Sequence, residues 1–198
     1  MNARDYAATF LEAAGAPQSG LVTGTSLLPV LLSKQSGHVD ASRNVMLIGK
    51  ERHDIGRPND AGYPVRAIRT PEFIYIRNFE PDRWPAGNPE TGYTNVDDGP
   101  TKSFILSHFD EFYELSFGKR PMEALYSVTD DPHNLKNLAA DPKYAETKRK
   151  LRERMEELLR AEGDPRMLGH ADFFETIEYT GPKTHSYAEW LKHNGTQH

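Results

Sequence analysis

The sequence predicts an α+β fold, in which a small antiparallel sheet of about four strands is joined by a long C-terminal helix. Residues 65–69 and 73–78 are β-branched or aromatic runs that flank Thr70-Pro71-Glu72, and this pattern is typical of a hairpin. From residue 141 to residue 162, apolar side chains recur at helical spacing. Only 37% of the residues are apolar, and 14 prolines and 15 glycines indicate many loops.

Two helices are predicted before the first strand, in residues 3–14 and 26–32. Tyr6 and Phe10 recur at helical spacing in the first segment, which ends at Gly15. The second segment is apolar on nearly every side. A helix of that kind has no face suited to water, so the second segment is predicted to be deeply buried.

Local apolar patterns predict the other strands and the middle helix. Residues 44–48 form a short apolar run that precedes a glycine and predicts the first strand, and residues 124–128 predict the last one. Residues 101–117 carry apolar side chains near one side, which predicts one continuous helix. Between these elements, residues 82–100 form a long loop, and loops of that length are usually functional or mobile.

The long helix over residues 141–162 has the clearest boundaries. Asp141 is its predicted N-cap, Pro142 takes the first helical position, and Gly163 ends it. Its outer face alternates Lys, Arg and Glu, as expected of a solvated surface. The chain after it is weakly periodic, and residues 187–191 predict one amphipathic turn that docks on the rest of the protein.

Composition excludes several classes of function. The net charge is −5 and no block of Lys and Arg is present, which argues against binding to nucleic acid. The chain has no cysteine, so disulfides, zinc thiolate sites and cysteine catalysis are excluded. Its eight histidines are never two or four positions apart, so no metal site built from one segment is predicted. Neither a membrane span nor a signal peptide is predicted.

A polar cluster directly follows the first predicted strand. It reads Lys50-Glu51-Arg52-His53-Asp54, with Arg57 close behind. Loops that a rigid strand positions often carry binding residues. Arginine can clamp a sulfate or carboxylate, and histidine can donate a hydrogen bond near neutral pH. We therefore predict that His53, Arg52, Asp54 and Arg57 bind substrate. A solvated turn with one local salt bridge is the other interpretation, and it stays open.

Other polar residues are better explained by structure. Asp130 and Asp131, followed by Pro132, are typical of a turn in which carboxylates accept backbone N–H bonds. Asn137 is predicted to bond to the backbone of the same turn. Trp84 has two interpretations: it could stack on a sugar ring, or it could cover the hairpin.

The segment from Arg120 to Pro142 resembles a signature near the C-terminus of the sulfatases, R-P-x-E-x-L-Y-D-L-x-x-D-P-x-E-x-x-N-L-A. In this chain the matching residues are Arg120-Pro121-Met122-Glu123-Ala124-Leu125-Tyr126, then Asp130-Asp131-Pro132 and Asn137-Leu138-Ala139-Ala140-Asp141-Pro142. Residues 5–15 resemble the family's D-x-x-P-T-x-L-x-x-A-G helix, with Ala8 where proline is usual. Residues 24–29 resemble its G-x-S-L-L-P.

Within the sulfatases, residues 49–54 and 63–66 resemble the N-sulfoglucosamine sulfohydrolase, or heparan N-sulfatase, branch. The resemblance implies the C-terminal subdomain of an alkaline-phosphatase-like fold, packed against a larger catalytic domain. It also implies that the loop around His53 lies at the substrate cleft, that the ligand is a sulfated carbohydrate, and that the protein is periplasmic or secreted.

The catalytic groups of the family have no counterpart in this sequence. Sulfatases use a formylglycine made from the Cys or Ser of C/S-x-P-x-R, and a calcium ion that polarises the sulfate. This chain has no Cys, and none of its serines is followed by x-Pro-x-Arg. No catalytic residue, metal ligand or cofactor is therefore predicted here, and calcium and formylglycine are implied only for the full-length family.

The resemblance predicts three parts. Residues 1–35 are a helical remnant of the catalytic domain, residues 36–165 are the C-terminal subdomain, and residues 166–198 are a tail without a match in the family. The first hypothesis is the C-terminal part of a sulfatase that acts on sulfated carbohydrate, needs the catalytic domain as its partner and is inactive alone. The second is a stand-alone, non-enzymatic module that binds a sulfated glycan or a protein. Whether the chain is an enzyme stays open.

Overall fold

The protein is described by a computed structural model that covers residues 2–183 and 186–195. The chain divides into two compact units, Met1–Met46 and Leu47–His198. This division lies after the predicted boundary at residue 35, and the three-part division stays a prediction. Within the described residues, none of the helices is long and apolar enough to cross a membrane.

The first unit contains helix α1, Arg4–Ala13, and the single helical turn α2, Leu28–Leu31. Asp5 in α1 is buried and accepts hydrogen bonds from the backbone N–H of Thr25, at 3.1 Å, and from Arg43, at 3.0 Å. Thr9 accepts a bond from the backbone N–H of Leu27 at 2.9 Å. These polar contacts tie the segment before α2 to the helix.

The prediction that residues 26–32 are deeply buried was wrong. Leu31 is 68% exposed and Leu32 is 74% exposed, although Leu27 is buried. The helix has only one turn, so its apolar residues point in several directions and one side of α1 cannot cover them all.

The second unit is built on a four-stranded sheet with the order β1-β2-β3-β4. The strands are β1 (Met46–Lys50), β2 (Val65–Arg69), β3 (Phe73–Asn78) and β4 (Glu123–Ser127). The pairs β2–β3 and β3–β4 are antiparallel, with Ile68 opposite Tyr75 and Tyr75 opposite Leu125. These three residues are fully buried and form the centre of the core. The α+β prediction and its four strands are confirmed.

Strand β1 begins and ends two residues later than predicted. Gly49 suggested the end of the strand, but it lies inside it. A side-chain carbon at Gly49 would lie 3.2 Å from Cδ of Arg66, so the arginine packs closely over the bare backbone. The glycine therefore marks a close approach in the sheet and not a turn.

The predicted continuous helix over residues 101–117 is divided in two. Helix α3 covers Pro100–Ser107 and helix α4 covers Phe109–Ser116. His108 between them has φ −121° and ψ 43°, which is not helical, and its ring stacks on Phe104 with centroids 4.2 Å apart. A periodic apolar pattern continues across this break, which is why the sequence did not reveal it.

The long helix was predicted correctly, apart from its first turn. Asp141 accepts the backbone N–H of Lys143 at 2.9 Å, the next turn is a 3₁₀ helix, and helix α5 covers Ala145–Ala161. Helix α5 packs on β2 and β3 and buries Met155 and Leu159. After it come the short helix α6, Phe173–Thr176, and α7, Tyr187–Asn194, which lies where the amphipathic turn was predicted.

Candidate functional site

The predicted polar cluster lies in the loop between β1 and β2, residues 51–64, which we call the β1–β2 loop. The backbone N–H of Tyr63 donates to the carbonyl of Glu51 at 3.1 Å, so the two ends of the loop are held together. The loop therefore projects from the end of an edge strand as a closed unit. A rigid support of this kind is what a binding loop requires.

Arg57 is buried inside this loop, with only 2% of the residue exposed. Its guanidinium donates to the carbonyls of Trp84, at 2.6 Å, Pro85, at 2.8 Å, and Ala61, at 3.3 Å. Burial, assisted by the cation of Arg83, lowers the pKa of Arg57 to about 10, so it remains charged at neutral pH. Arg57 thus joins two loops, and its predicted contact with substrate stays a prediction.

Arg52 and Asp54 are held by the C-terminal part of the chain. The guanidinium of Arg52 donates to the carbonyl of Ile177 and lies 5.9 Å from the ring centroid of Tyr179. Asp54 accepts the backbone N–H of Ile55 at 2.8 Å, and its carboxylate raises the pKa of Tyr179. Both side chains are half-buried and already have partners within the protein.

His53 lies between these two anchored residues and is exposed. Among residues 2–183 and 186–195, its imidazole has no hydrogen-bond or ion-pair partner. Of the four predicted site residues, it is therefore the one whose side chain is exposed and has no partner in the described part of the chain. The structure brings Arg52, His53 and Asp54 together because they are consecutive, whereas Arg57 turns into the interior.

Four charged residues at the base of the loop form an ion-pair cluster, which consists of Glu51, Arg66, Asp164 and Arg166. Arg166 donates to both carboxylate oxygens of Glu51, at 3.0 and 2.8 Å, and Arg66 contacts the same carboxylate at 2.7 Å. Arg66 also contacts Asp164 at 2.7 Å. The sequence did not predict this cluster, because Arg166 lies 115 positions from Glu51 and no local pattern connects them.

The structural role predicted for Asp131 in the turn after β4 is confirmed, whereas Asp130 and Asn137 have other partners than predicted. Asp130 accepts a bond from the hydroxyl of Ser127 at 2.9 Å, and Asp131 accepts the backbone N–H of Lys136 at 2.7 Å. Asn137 accepts the backbone N–H of Leu125 at 3.0 Å. Asp131 and Asn137 thus bond to the backbone, Asn137 to β4 and not to the turn, while Asp130 bonds to the side chain of Ser127.

Trp84 lies beside helix α4. Its ring centroid is 6.4 Å from that of Tyr113, and the ammonium of Lys119 lies 5.0 Å from the Trp84 ring. The residue is half-buried, so both interpretations, a sugar platform and a packing residue, stay predictions.

A metal site does not fit the residues that the structure describes. Among them, no three His, Asp or Glu side chains are grouped so that they could hold a metal ion. The calcium that the family resemblance implies therefore has no ligand set in the described part of this chain.

No protein-family model matches the chain, but two curated proteins are similar to it in sequence. The chain is 31% identical over 160 residues to an ulvan-active sulfatase from Formosa agariphila, covering 81% of this chain and 29% of that protein. A second ulvan-active sulfatase from the same organism is 26% identical over 183 residues, which cover 87% of this chain and 27% of that protein. The chain thus spans less than a third of the curated relatives it matches.

One solved structure shows that the fold, too, corresponds to a part of a longer protein. A protein solved with its substrate D-glucosamine-2-N,6-O-disulfate superposes with a TM-score of 0.50 at 20% identity, over 81% of this chain and 24% of that protein. The α+β architecture described above is therefore that of about a quarter of a larger protein. The two curated relatives support the predicted resemblance to the sulfatase family for the part of such a protein that the chain spans.

Proposed function

We propose that this chain is the C-terminal part of a sulfatase that acts on sulfated carbohydrate, and that its β1–β2 loop contacts the sugar. The two ulvan-active sulfatases support the reaction class. The signature from Arg120 to Pro142 supports the position within such a protein.

One observation carries the assignment of the loop. The exposed imidazole of His53 has no partner within the described residues, while the neighbouring side chains of Arg52 and Asp54 are held in place. A polar group that is positioned but uncommitted can bond to a ligand without first breaking a bond to the protein. A protonated imidazole donates charge-assisted hydrogen bonds, which are suited to the oxygens of a sulfate group.

The finer proposal concerns the sugar. Residues 49–54 and 63–66 resemble the heparan N-sulfatase branch, so we infer that an N-sulfated glucosamine is the substrate class. The formylglycine and the calcium would come from the catalytic part of such an enzyme, because this sequence has no C/S-x-P-x-R segment. This chain would supply positioning of the sugar and would not itself attack the sulfur.

The experiment is to measure binding of D-glucosamine-2-N,6-O-disulfate to the chain by NMR titration, with unsulfated glucosamine as the reference ligand. We expect chemical-shift changes in residues 51–57 with the sulfated sugar alone. His53→Ala should weaken its binding by roughly ten- to a hundredfold, since one charge-assisted hydrogen bond is worth about 1.5–3 kcal/mol.

His133→Ala is the matched control, because His133 is also an exposed histidine but lies in the turn after β4. Equal affinities for wild type, His53→Ala and His133→Ala would remove His53 from the site. A parallel experiment joins this chain to a sulfatase catalytic domain of the same branch. In that enzyme, His53→Ala should lower kcat/KM by one to two decades. This factor is about the same as the factor by which the variant weakens sugar binding.

A further inference from the structure

We propose that residues 164–179, which we call the strap, hold the β1–β2 loop in its binding conformation, with Arg166 and Glu175 as positioning residues. The identity of the ligand that the loop binds rests on the proposed function. The role of the strap in holding the loop is argued from contacts alone. No function was predicted from sequence for these residues. In the structure the strap follows helix α5 and contacts the loop at successive points.

The first point of contact lies at the base of the loop. The side chain of Arg166 is buried and binds both oxygens of Glu51, in the planar geometry that only an arginine can offer. The ring of Phe174, also in the strap, lies 5.7 Å from the guanidinium of Arg166 and 5.7 Å from that of Arg66. The strap thus supplies a charge partner for Glu51, the residue that begins the loop, and an aromatic ring over the two arginines that bind Glu51.

The second point of contact lies where the loop returns to the sheet. Glu175 accepts the backbone N–H of Gly62 at 3.3 Å and a bond from Arg83 at 2.8 Å. Arg83 also donates to the carbonyl of Gly62 at 2.9 Å. Both polar groups of the Gly62 backbone are therefore bonded to this pair, which fixes the returning end of the loop.

The third set of contacts involves Arg52 and Asp54, the two neighbours of His53 in the chain. The carbonyl of Ile177 accepts a bond from Arg52, and the ring of Tyr179 lies beside Arg52 and the Asp54 carboxylate. Further along the chain, the backbone N–H of Tyr187 donates to the carbonyl of Ile55 at 2.9 Å. Four loop residues around His53 thus have partners in or just beyond the strap: Glu51, Arg52, Asp54 and Ile55.

This arrangement has a thermodynamic consequence for binding. A loop that samples many conformations must lose that freedom when it binds a ligand, and the cost weakens the affinity. A loop held in advance by contacts in another part of the chain avoids most of that cost. Arg166 and Glu175 would then raise the affinity for a sugar sulfate without touching it.

Arg166→Ala tests the strap, with hydrogen–deuterium exchange as the first measurement. We expect faster exchange of the amides of residues 52–57, with unchanged exchange in β3 and β4. Arg166→Lys should give an intermediate result, because an ammonium keeps the charge but contacts only one oxygen well. Arg149→Ala is the matched control, since Arg149 binds Glu146 and Glu153 in a similar way on the exposed face of α5.

Affinity for D-glucosamine-2-N,6-O-disulfate is the second measurement. Arg166→Ala should weaken it by roughly three- to tenfold, Arg166→Lys by less, and Arg149→Ala not at all. Should Arg166→Ala fail to fold, Glu175→Gln replaces it, because this change removes the charge while keeping the shape of the side chain.

The outcomes separate the two proposals. Unchanged exchange of residues 52–57 in Arg166→Ala and Glu175→Gln would overturn the strap. Faster exchange with unchanged affinity, in a chain whose His53→Ala variant binds more weakly, would overturn the positioning role. Faster exchange in a chain that does not bind the sulfated sugar at all would support the strap and overturn the proposed function.

Discussion

The hydroxyl of Tyr75 donates a hydrogen bond of 2.6 Å to the carboxylate of Glu123 on the neighbouring strand. Tyr75 is fully buried, and its burial, together with this bond, raises the pKa of the hydroxyl. Arg152 of helix α5 contacts the same carboxylate at 2.6 Å. The Tyr75–Glu123 pair therefore joins β3, β4 and α5 at one point.

Tyr75→Phe should destabilise the protein by about 1–2 kcal/mol, because the ring is kept while one hydrogen bond to a charged group is lost. The free energy of unfolding is measured by urea denaturation. Tyr126→Phe is the control, since Tyr126 lies on β4 but is only half-buried. It should change the free energy by less than about 0.5 kcal/mol, and equal effects of the two changes would contradict the argument.

Glu123→Gln should have an effect that depends on pH. Burial raises the pKa of Glu123, but Tyr75, Arg152 and Lys148 lower it more, so the net pKa lies below the ordinary 4.5. The carboxylate therefore stabilises the fold fully above pH 4.5, and that contribution is lost as the pH falls through the lower, folded pKa.

Urea denaturation of wild type and Glu123→Gln over a series of pH values checks this expectation. The variant should be less stable by about 1–2 kcal/mol near neutral pH, and the difference should shrink steadily below pH 4.5. A difference that stays constant down to strong acid would show that the charge of Glu123 is not what stabilises the fold.

Arg57→Leu should cost about 2–4 kcal/mol, because it leaves the carbonyls of Trp84, Pro85 and Ala61 without their donor in the interior. Thermal denaturation measures the loss. Arg52→Ala is the comparison within the same loop, and it should cost less, since Arg52 is only half-buried. An Arg57→Leu variant with wild-type stability and no sugar binding would instead assign Arg57 to the ligand.

The chain by itself should not hydrolyse an aryl sulfate, with or without calcium. The reason is chemical, because the sequence has neither a cysteine nor a serine in the C/S-x-P-x-R context from which formylglycine is made. Release of the phenol is followed by absorbance. Calcium-dependent turnover that persists through repeated purification would contradict this expectation and the division of roles proposed above.

Local signals predicted the hairpin and the long helix well. The bounds of β2 and β3 match the predicted residues 65–69 and 73–78. Two β-branched or aromatic runs on either side of a short turn with proline are typical of a hairpin and of few other structures. The cap at Asp141 formed as expected, because the N-cap bond requires only residues next to it in the chain.

Features that depend on distant residues could not be predicted. Gly49 remains in β1 because the side chain of Arg66 packs over it, and no property of the glycine itself reveals this. The loop residues Arg52 and Asp54 were predicted to be site residues from their type, their position after a strand and the family resemblance. Their partners, Ile177 and Tyr179, lie more than a hundred positions away, beyond the range of any periodic pattern.

The pair Glu51–Arg166 has a consequence for the order of folding. Its two residues are separated by 115 positions, and Arg166 follows the whole of the sheet and helix α5. A contact of such long range forms late, since closing a long segment of chain is entropically costly. On the ribosome, the hairpin and β4 are made before Arg166 emerges, so the β1–β2 loop takes its final shape only after the scaffold beneath it is complete.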